Sequence, residues 1–405
     1  MLDEIARLST ERRLFRHHLV ARMAYAKALG RQGLLAAEEV NAVVLTLAAL
    51  PADPPELSAD SGQRSLQGAV DAELASRLGP LADKLASTRS YHDQAATDTR
   101  LWAREAILGA CAAIVSLQRA LLAVAERHGM AAIPGYTHLQ RAGPLLLGHH
   151  LLAYLEMFYR DGNRLRETYV RADILPLGAG ELAGAPYPLD RAYLAGLLGM
   201  HTSTRNSLDA VGDRDYIVEH VAHLAMVAMH LSRMAEELVL WSSAEFGFVE
   251  LDESFTTGSS MMPPKRNPDV AELVRSKTGR VYGALVAVLT TMKALPLSYS
   301  RDLQELAAPY FDAADTVTDG LTLCAAMLAG NRWRTDRMAQ ATIEAVGPNV
   351  TELLARHDIH GGTAAGRVRA AIRDAYTKVE GLWAWVEEKR ATLPSIEKLS
   401  GPRSQ

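Results

Sequence analysis

Asp215-Tyr-Ile-Val-Glu-His-Val-Ala-His-Leu-Ala-Met-Val-Ala-Met-His-Leu-Ser-Arg-Met-Ala-Glu-Glu-Leu-Val-Leu-Trp-Ser-Ser243 contains neither glycine nor proline. Its apolar residues Ile217, Val221, Leu224, Ala228, Leu231, Ala235 and Leu238 recur in steps of 4-3-4-3-4-3. A half-buried strand would alternate with a period of two; this heptad spacing places all seven side chains on one helix face. Such a helix is on the order of 40 Å long at 1.5 Å per residue. That is too long for a compact single layer to cover, so the stretch predicts an elongated bundle. Residues 101–128, 145–171 and 270–294 read similarly. An aromatic content of 6% beside many Ala and Leu suits close helix–helix contact. No run of strand-type alternation stands out, and the expected fold is all-α.

Bulk properties narrow the function classes. A chain of 405 residues has ample length for a large core. The formal net charge of −4 supplies no basic field, so nucleic acid is not an expected partner. Cys111 and Cys324 sit in no metal or redox spacing and suit a reducing cytoplasm. The first residues, Met1 to Leu8, carry charges where a signal peptide needs an apolar core. The most apolar long window, 103–125, is interrupted by Arg104, Glu105 and Arg119, and no membrane span is expected. His220 and His223, next to Glu219, have a His-x-x-His helical spacing but no evident third ligand, which favours a polar face over a metal site. No phosphate loop or dinucleotide fingerprint is present, so no cofactor is expected. Pro51-Ala-Asp-Pro-Pro55 reads as a linker or surface loop after the first helical pair.

The stretch richest in chemistry is Thr257-Gly-Ser-Ser-Met-Met-Pro-Pro-Lys-Arg-Asn-Pro-Asp269. A mobile segment (Gly258, Ser259, Ser260) is followed by a rigid one (Pro263, Pro264), then by a cation, Lys265, and an amide, Asn267. Pro268 fits the first helical position and Asn267 the N-cap. The unpaired N–H groups of a helix N-terminus make a seat for a carboxylate. On chemistry alone a solvated loop before a capped helix accounts for the same residues.

Resemblance separates the two readings. The string is similar to the Gly-Ser-Ser-x-Met-Pro-x-Lys-x-Asn-Pro loop of the fumarase/aspartase superfamily, with every fixed position present. Thr88-Arg-Ser-Tyr-His-Asp-Gln94 and Gly135-Tyr-Thr-His-Leu-Gln140 resemble two further family blocks in the expected order. Residues 206–216, 241–252 and 295–304 resemble the argininosuccinate lyase branch in particular, and the likeness runs from roughly residue 15 to 330, with a last piece at Gly361-Gly362-Thr363. The resemblance implies a homotetramer whose central helices form a twenty-helix bundle, with small terminal helical domains and active sites built from three chains. Residues 1–88 would form an N-terminal helical domain, 89–340 the bundle, and 341–405 a shortened C-terminal region lacking most cap helices.

Lyases of this superfamily take a proton from the carbon next to a carboxylate of a succinyl group and expel nitrogen or oxygen from its neighbour, leaving fumarate. Proton removal puts two charges on one carboxylate, so a base, a cradle for that group and an acid for the leaving atom are needed. Each well-aimed donor in the cradle contributes roughly 3–4 kcal/mol, and acid–base help adds about 10²–10⁴-fold. By motif position the resemblance makes Ser259 the base, activated by loop closure and Lys265, with Ser260 its neighbour on the substrate. Lys265 and Asn267 would hold the carboxylate that gathers charge. Thr137 and His138 fall on the leaving-group side, with Glu272 orienting His138. Tyr299, Arg301 and Gln304 match the substrate-side stretch, where Tyr299 and Gln304 would meet the amine half. Ser90 keeps its place in the first block.

Departures from the branch are equally informative. Argininosuccinate lyases read Arg-Ser-Arg-Asn-Asp-Gln where this chain has Arg89-Ser90-Tyr91-His92-Asp93-Gln94, so a cation and a carboxylate-binding Asn are replaced by Tyr91 and His92. Arg22 stands where the branch has a small substrate-contacting serine. The usual Glu-Asp-Ile-His has become Arg64-Ser65-Leu66-Gln67, and the lysine of Gln-Glu-Asp-Lys has become Ala307. The elimination set is whole while the amine side has changed. The expectation is an argininosuccinate lyase-like carbon–nitrogen lyase on an N-substituted aspartate, either argininosuccinate or one with a different amine, working in either direction. A non-catalytic crystallin-like homologue, or a lyase of the fumarase, aspartase or adenylosuccinate type, is the alternative.

Overall fold

The computed structural model describes residues 10–51, 65–258, 260, 262 and 265–401. Seven described helices have 17 residues or more: α1 (Phe15–Arg31), α2 (Tyr91–His128), α3 (Leu147–Ala172), α4 (Asp215–Ser242), α5 (Asp269–Met292), α6 (Ala307–Gly330) and α7 (Ala365–Thr392). The heptad stretch is α4, and none of its seven seam residues is more than 5% exposed. Its main partner is α5; α2 packs against α3, α6 and α7. Helices α2 to α7 share one continuous apolar core, so the architecture is an all-α elongated bundle. A smaller core forms where α1 meets the short helices Ala37–Ala48 and Leu66–Leu78.

Helix α2 spans 38 residues and carries one window apolar enough to cross a membrane, but 67% of that window is buried inside the bundle. It is the central core helix. Two arginines on it, Arg100 and Arg104, are almost wholly buried. Arg100 donates to the carbonyls of Arg171 (2.8 Å) and Ala172 at the end of α3 and pairs with Asp213. Arg104 donates to the carbonyls of Leu198 and Gly199 and pairs with Asp173 at 3.0 Å. These charges satisfy helix-end carbonyls that would otherwise be buried without donors.

The last segment joins the main core. Val368, Ile372, Ala375, Val379, Leu382 and Val386 of α7 step by 4-3-4-3-4 and are all buried. Gly162 of α3 lies so close that an added Cβ would stand 2.7 Å from the Leu382 side chain.

The expectation of no strands is corrected. Strands β1 (Ala132–Thr137) and β2 (Gln140–Leu146) form an antiparallel hairpin, and among the described residues three other ladders have two residue pairs each. Pro134 faces Pro144 across the hairpin, with an irregularity between Pro134 and Tyr136. A two-stranded ribbon has open edges where missing N–H groups are tolerated, so prolines and glycines that disguise the alternation do not prevent pairing.

Candidate active site

One end of the bundle carries a cavity of about 660 Å³. Tyr91, His92, Ala95, Asp98 and Thr99 line it from successive turns of α2. Arg214 and Ile217 close it from the start of α4, and Tyr299 and Gln304 from the segment before α6. The His92 and Tyr299 rings stack with centroids 4.0 Å apart and planes 13° from parallel. Gln304 donates to the Tyr299 hydroxyl at 3.0 Å. Burial pushes the Tyr299 phenol above its ordinary pKa, keeping it a neutral donor. Four expected substrate contacts, Tyr91, His92, Tyr299 and Gln304, therefore share one cavity. Arg301 is exposed at the start of a 3-10 turn, Arg301–Leu306, and does not line it.

Beneath this cavity lies a buried ionic group. Arg22 and Arg89 both donate to Asp71 at 2.7 Å, and the Tyr91 hydroxyl donates to it at 2.8 Å. The Arg89 guanidinium also lies 4.5 Å from the centre of the Tyr91 ring. Arg22 is 4% exposed and absent from the cavity lining. Burial, then the neighbouring Arg89, lower its pKa to about 10. His18 of α1 adds a buried pair with Asp98 at 2.7 Å.

Ser90 caps α2, its hydroxyl accepting from the N–H groups of His92 and Asp93, and it donates to Glu181 at 2.8 Å. Asp93 is buried and accepts from the N–H groups of Gly178 and Gly180 at 3.0 and 2.9 Å. Burial pushes its carboxyl up to about 7, opposed by those two donors and by Arg191. Sequence reasoning missed Asp98, Arg214 and Glu181. Asp98 falls on the same α2 face as Tyr91, two turns on, and was recoverable from that spacing; Glu181 has its partners some ninety residues away and left no local signal.

The elimination residues stand elsewhere. Thr137 pairs with Gln140, leaving His138 and Leu139 as a two-residue turn with φ of 54° and 57°. Turns of this type favour Asn and Gly, and two ordinary side chains here store strain. Lys265 and Ser260 are exposed. Asn267 with Arg266 forms strand β4, paired with β3 (Thr257–Gly258). Ser259, Pro263 and Pro264 lie outside the described residues. The N-cap expectation is corrected by one residue: α5 begins at Asp269, Pro268 is the cap residue, and no side chain caps the helix. Asn267 is instead held in the short ladder, and the first turn carries Asp269 and Glu272. The Thr257 hydroxyl donates to Asp269, and Glu272 lies 3.7 Å from Arg275.

The two groups occupy opposite ends. Arg275 pairs with Glu236, and the Thr278 hydroxyl donates to the Ala228 carbonyl at 3.1 Å, so α5 runs antiparallel to α4. Glu272 is thus beside the end of α4, whereas the cavity touches Arg214 and Ile217 at its start. From Ile217 to Glu236 is roughly 28 Å along the helix axis at 1.5 Å per residue. The hairpin belongs to the Glu272 end: His150, just after it, pairs with Glu237 at 2.5 Å, and Tyr136 meets Phe246 at 5.2 Å between ring centres. Among the described residues there is no cluster of His, Cys, Asp and Glu that could hold a metal: His220 is bonded to the Tyr310 hydroxyl and His223 to Thr168.

Comparison with known proteins adds a family. A lyase family model matches residues 2–283. The argininosuccinate lyase of Syntrophotalea carbinolica is 45% identical over 338 residues, which is 83% of this chain and 73% of that protein. The argininosuccinate lyase of Dehalococcoides mccartyi is 46% identical over 331 residues, 81% of this chain and 72% of that protein. Among solved structures, EDDS lyase in complex with formate superposes with a TM-score of 0.82 at 24% identity, covering 97% of this chain and 90% of that one. The 3-carboxy-cis,cis-muconate lactonizing enzyme of Pseudomonas putida gives 0.74 at 22% identity, covering 96% and 91%. At these identities the two structures speak for the fold.

Proposed function

This chain belongs to the lyase family and is a carbon–nitrogen lyase of the argininosuccinate lyase type; we propose that it eliminates an amine or guanidine from an N-substituted aspartate to give fumarate, in sites that several copies of the chain complete together. The observation that carries the shared-site reading is the separation of the two residue groups to opposite ends of one bundle. No substrate of this size bridges roughly 28 Å, so the cavity end of one copy must meet the loop end of another. Tyr282, Val286 and Leu289 are 45–64% exposed and fall at i, i+4 and i+7 on α5. An open apolar stripe of this kind supports burial against a further copy, in keeping with a homotetramer. The two cysteines, buried and unpaired, are at home in a reducing cytoplasm.

In this reading Ser259 takes the proton while Lys265 and Asn267 hold the carboxylate on which charge develops. Those donors are worth most once the closing loop excludes water. Thr137 and His138 serve the departing nitrogen, with Glu272 fixing the imidazole. The strained turn supports that role, because it holds His138 outward at the hairpin tip. Tyr299, Gln304 and His92 meet the amine half from another copy. The changed cavity positions 91, 92 and 307 favour an amine other than arginine. Fumarate release from argininosuccinate, followed by ultraviolet absorbance, tests the reading. Turnover of argininosuccinate, or addition to fumarate of one of a panel of amines, that Ser259→Ala lowers by at least about 10²–10⁴-fold is the expected result. A folded oligomer that neither cleaves argininosuccinate nor adds any of a panel of amines to fumarate would contradict it.

A further inference from the structure

The resemblance assigns the Asn position now held by His92 to a carboxylate of the substrate, and Ser90 beside it to substrate contact. In this chain a carboxylate is already there. The Ser90 hydroxyl donates to Glu181 Oε1 at 2.8 Å, and His92 Nδ1 lies 3.1 Å from the same oxygen. That His92 nitrogen is buried and has no aligned hydrogen bond, so it faces Glu181 as an unsatisfied partner. The His92 ring meanwhile stacks on Tyr299 at the cavity wall.

The loop carrying Glu181 is built to present it. Gly178, Gly180 and Gly184 have φ of 82°, 72° and 105°, and Leu182 between them has 42°. A Cβ on Gly180 would stand 2.5 Å from the Ala185 nitrogen, so the close turn requires glycine there. Asp93 grips the N–H groups of Gly178 and Gly180. The Glu181 N-terminal flank is therefore fixed to the start of α2, while its own side chain stays 40% exposed and can swing away. A rigid backbone with a movable carboxylate is the arrangement of an internal competitor.

We propose that Glu181 is a built-in carboxylate plug: it occupies the Ser90–His92 seat in the resting chain and a substrate carboxylate must displace it. This deepens the lyase reading and takes the seat's role from it. A ligand that binds only the open fraction of sites has its apparent Kd raised by the reciprocal of that fraction. The plug thus raises the apparent Kd of every succinyl compound by the same factor and sets the concentration threshold for binding.

Calorimetric titration of the full-length oligomer with succinate, which needs no turnover, is the test, using Glu181→Gln and Glu181→Ala beside the parent. The expected result is a Kd for succinate lowered roughly tenfold in both variants, as for a seat about one-tenth open. In steady-state assays the gain falls in KM rather than kcat. Unchanged or weaker succinate binding in both folded variants overturns the plug, even if the chain is an active lyase. Tighter binding in variants of a chain that shows no lyase turnover keeps the plug and overturns the lyase reading. Succinate binding to neither parent nor variants overturns the seat itself.

Discussion

At the scale of single residues, backbone strain and buried charge can be probed separately from catalysis. His138 and Leu139 both hold positive φ at a turn tip, a conformation that costs an ordinary residue about 1–2 kcal/mol. Leu139→Gly should therefore raise stability by about 1 kcal/mol in chemical denaturation. His138→Gly should stabilise similarly yet abolish fumarate release, separating the strain from the imidazole. Arg22 illustrates how a residue's place decides its role. Read as a displaced substrate cation, it is buried and committed to Asp71. Arg22→Ser should cost about 3 kcal/mol of stability, the range for breaking a buried pair, whereas His92→Asn, at the cavity, should by itself improve turnover of argininosuccinate. Asp93 gives a pH signature. Its folded pKa of about 7 lies above the ordinary 3.8, so the folded state binds this proton more tightly than the unfolded chain. The resulting stability, about 4 kcal/mol, is present below pH 4 and lost as pH rises through 7. Thermal unfolding of Asp93→Asn from pH 4 to 8 should show a flatter pH dependence than the parent.

At the scale of elements, legibility tracked periodicity. The seam of α4 could be read residue by residue because an amphipathic helix writes its buried face into its own sequence at a fixed step. Leu231, 2% exposed at the middle of that seam, should cost about 2–5 kcal/mol as Leu231→Ala. The β1–β2 hairpin was not legible: Pro134, Gly135, Gly143 and Pro144 erase alternation, and pairing rather than side-chain pattern holds a two-stranded ribbon. The candidate residues could be picked out where a short motif carries them, as in Ser90–His92, Thr137–His138 and Lys265–Glu272. The site was illegible where partners are remote, as with Glu181 on Ser90 or Asp71 between Arg22 and Arg89, because such contacts exist only after the chain has packed.

At the scale of the whole molecule, the proposed catalytic centre joins the cavity end of one copy to the loop end of another. Helix length is the reason, since α4 and α5 hold the two groups roughly 28 Å apart within a chain. The decisive measurement is complementation between two separately inactive variants, Tyr299→Ala at the cavity end and Lys265→Ala at the loop end, co-expressed and assayed for fumarate release on whichever succinyl substrate the parent turns over. Random mixing leaves both ends intact in about a quarter of shared sites, so activity should return to about a quarter of the parent level. Mixed oligomers that stay as inactive as either variant alone would contradict the account, because a site contained in one chain cannot be repaired by a neighbour.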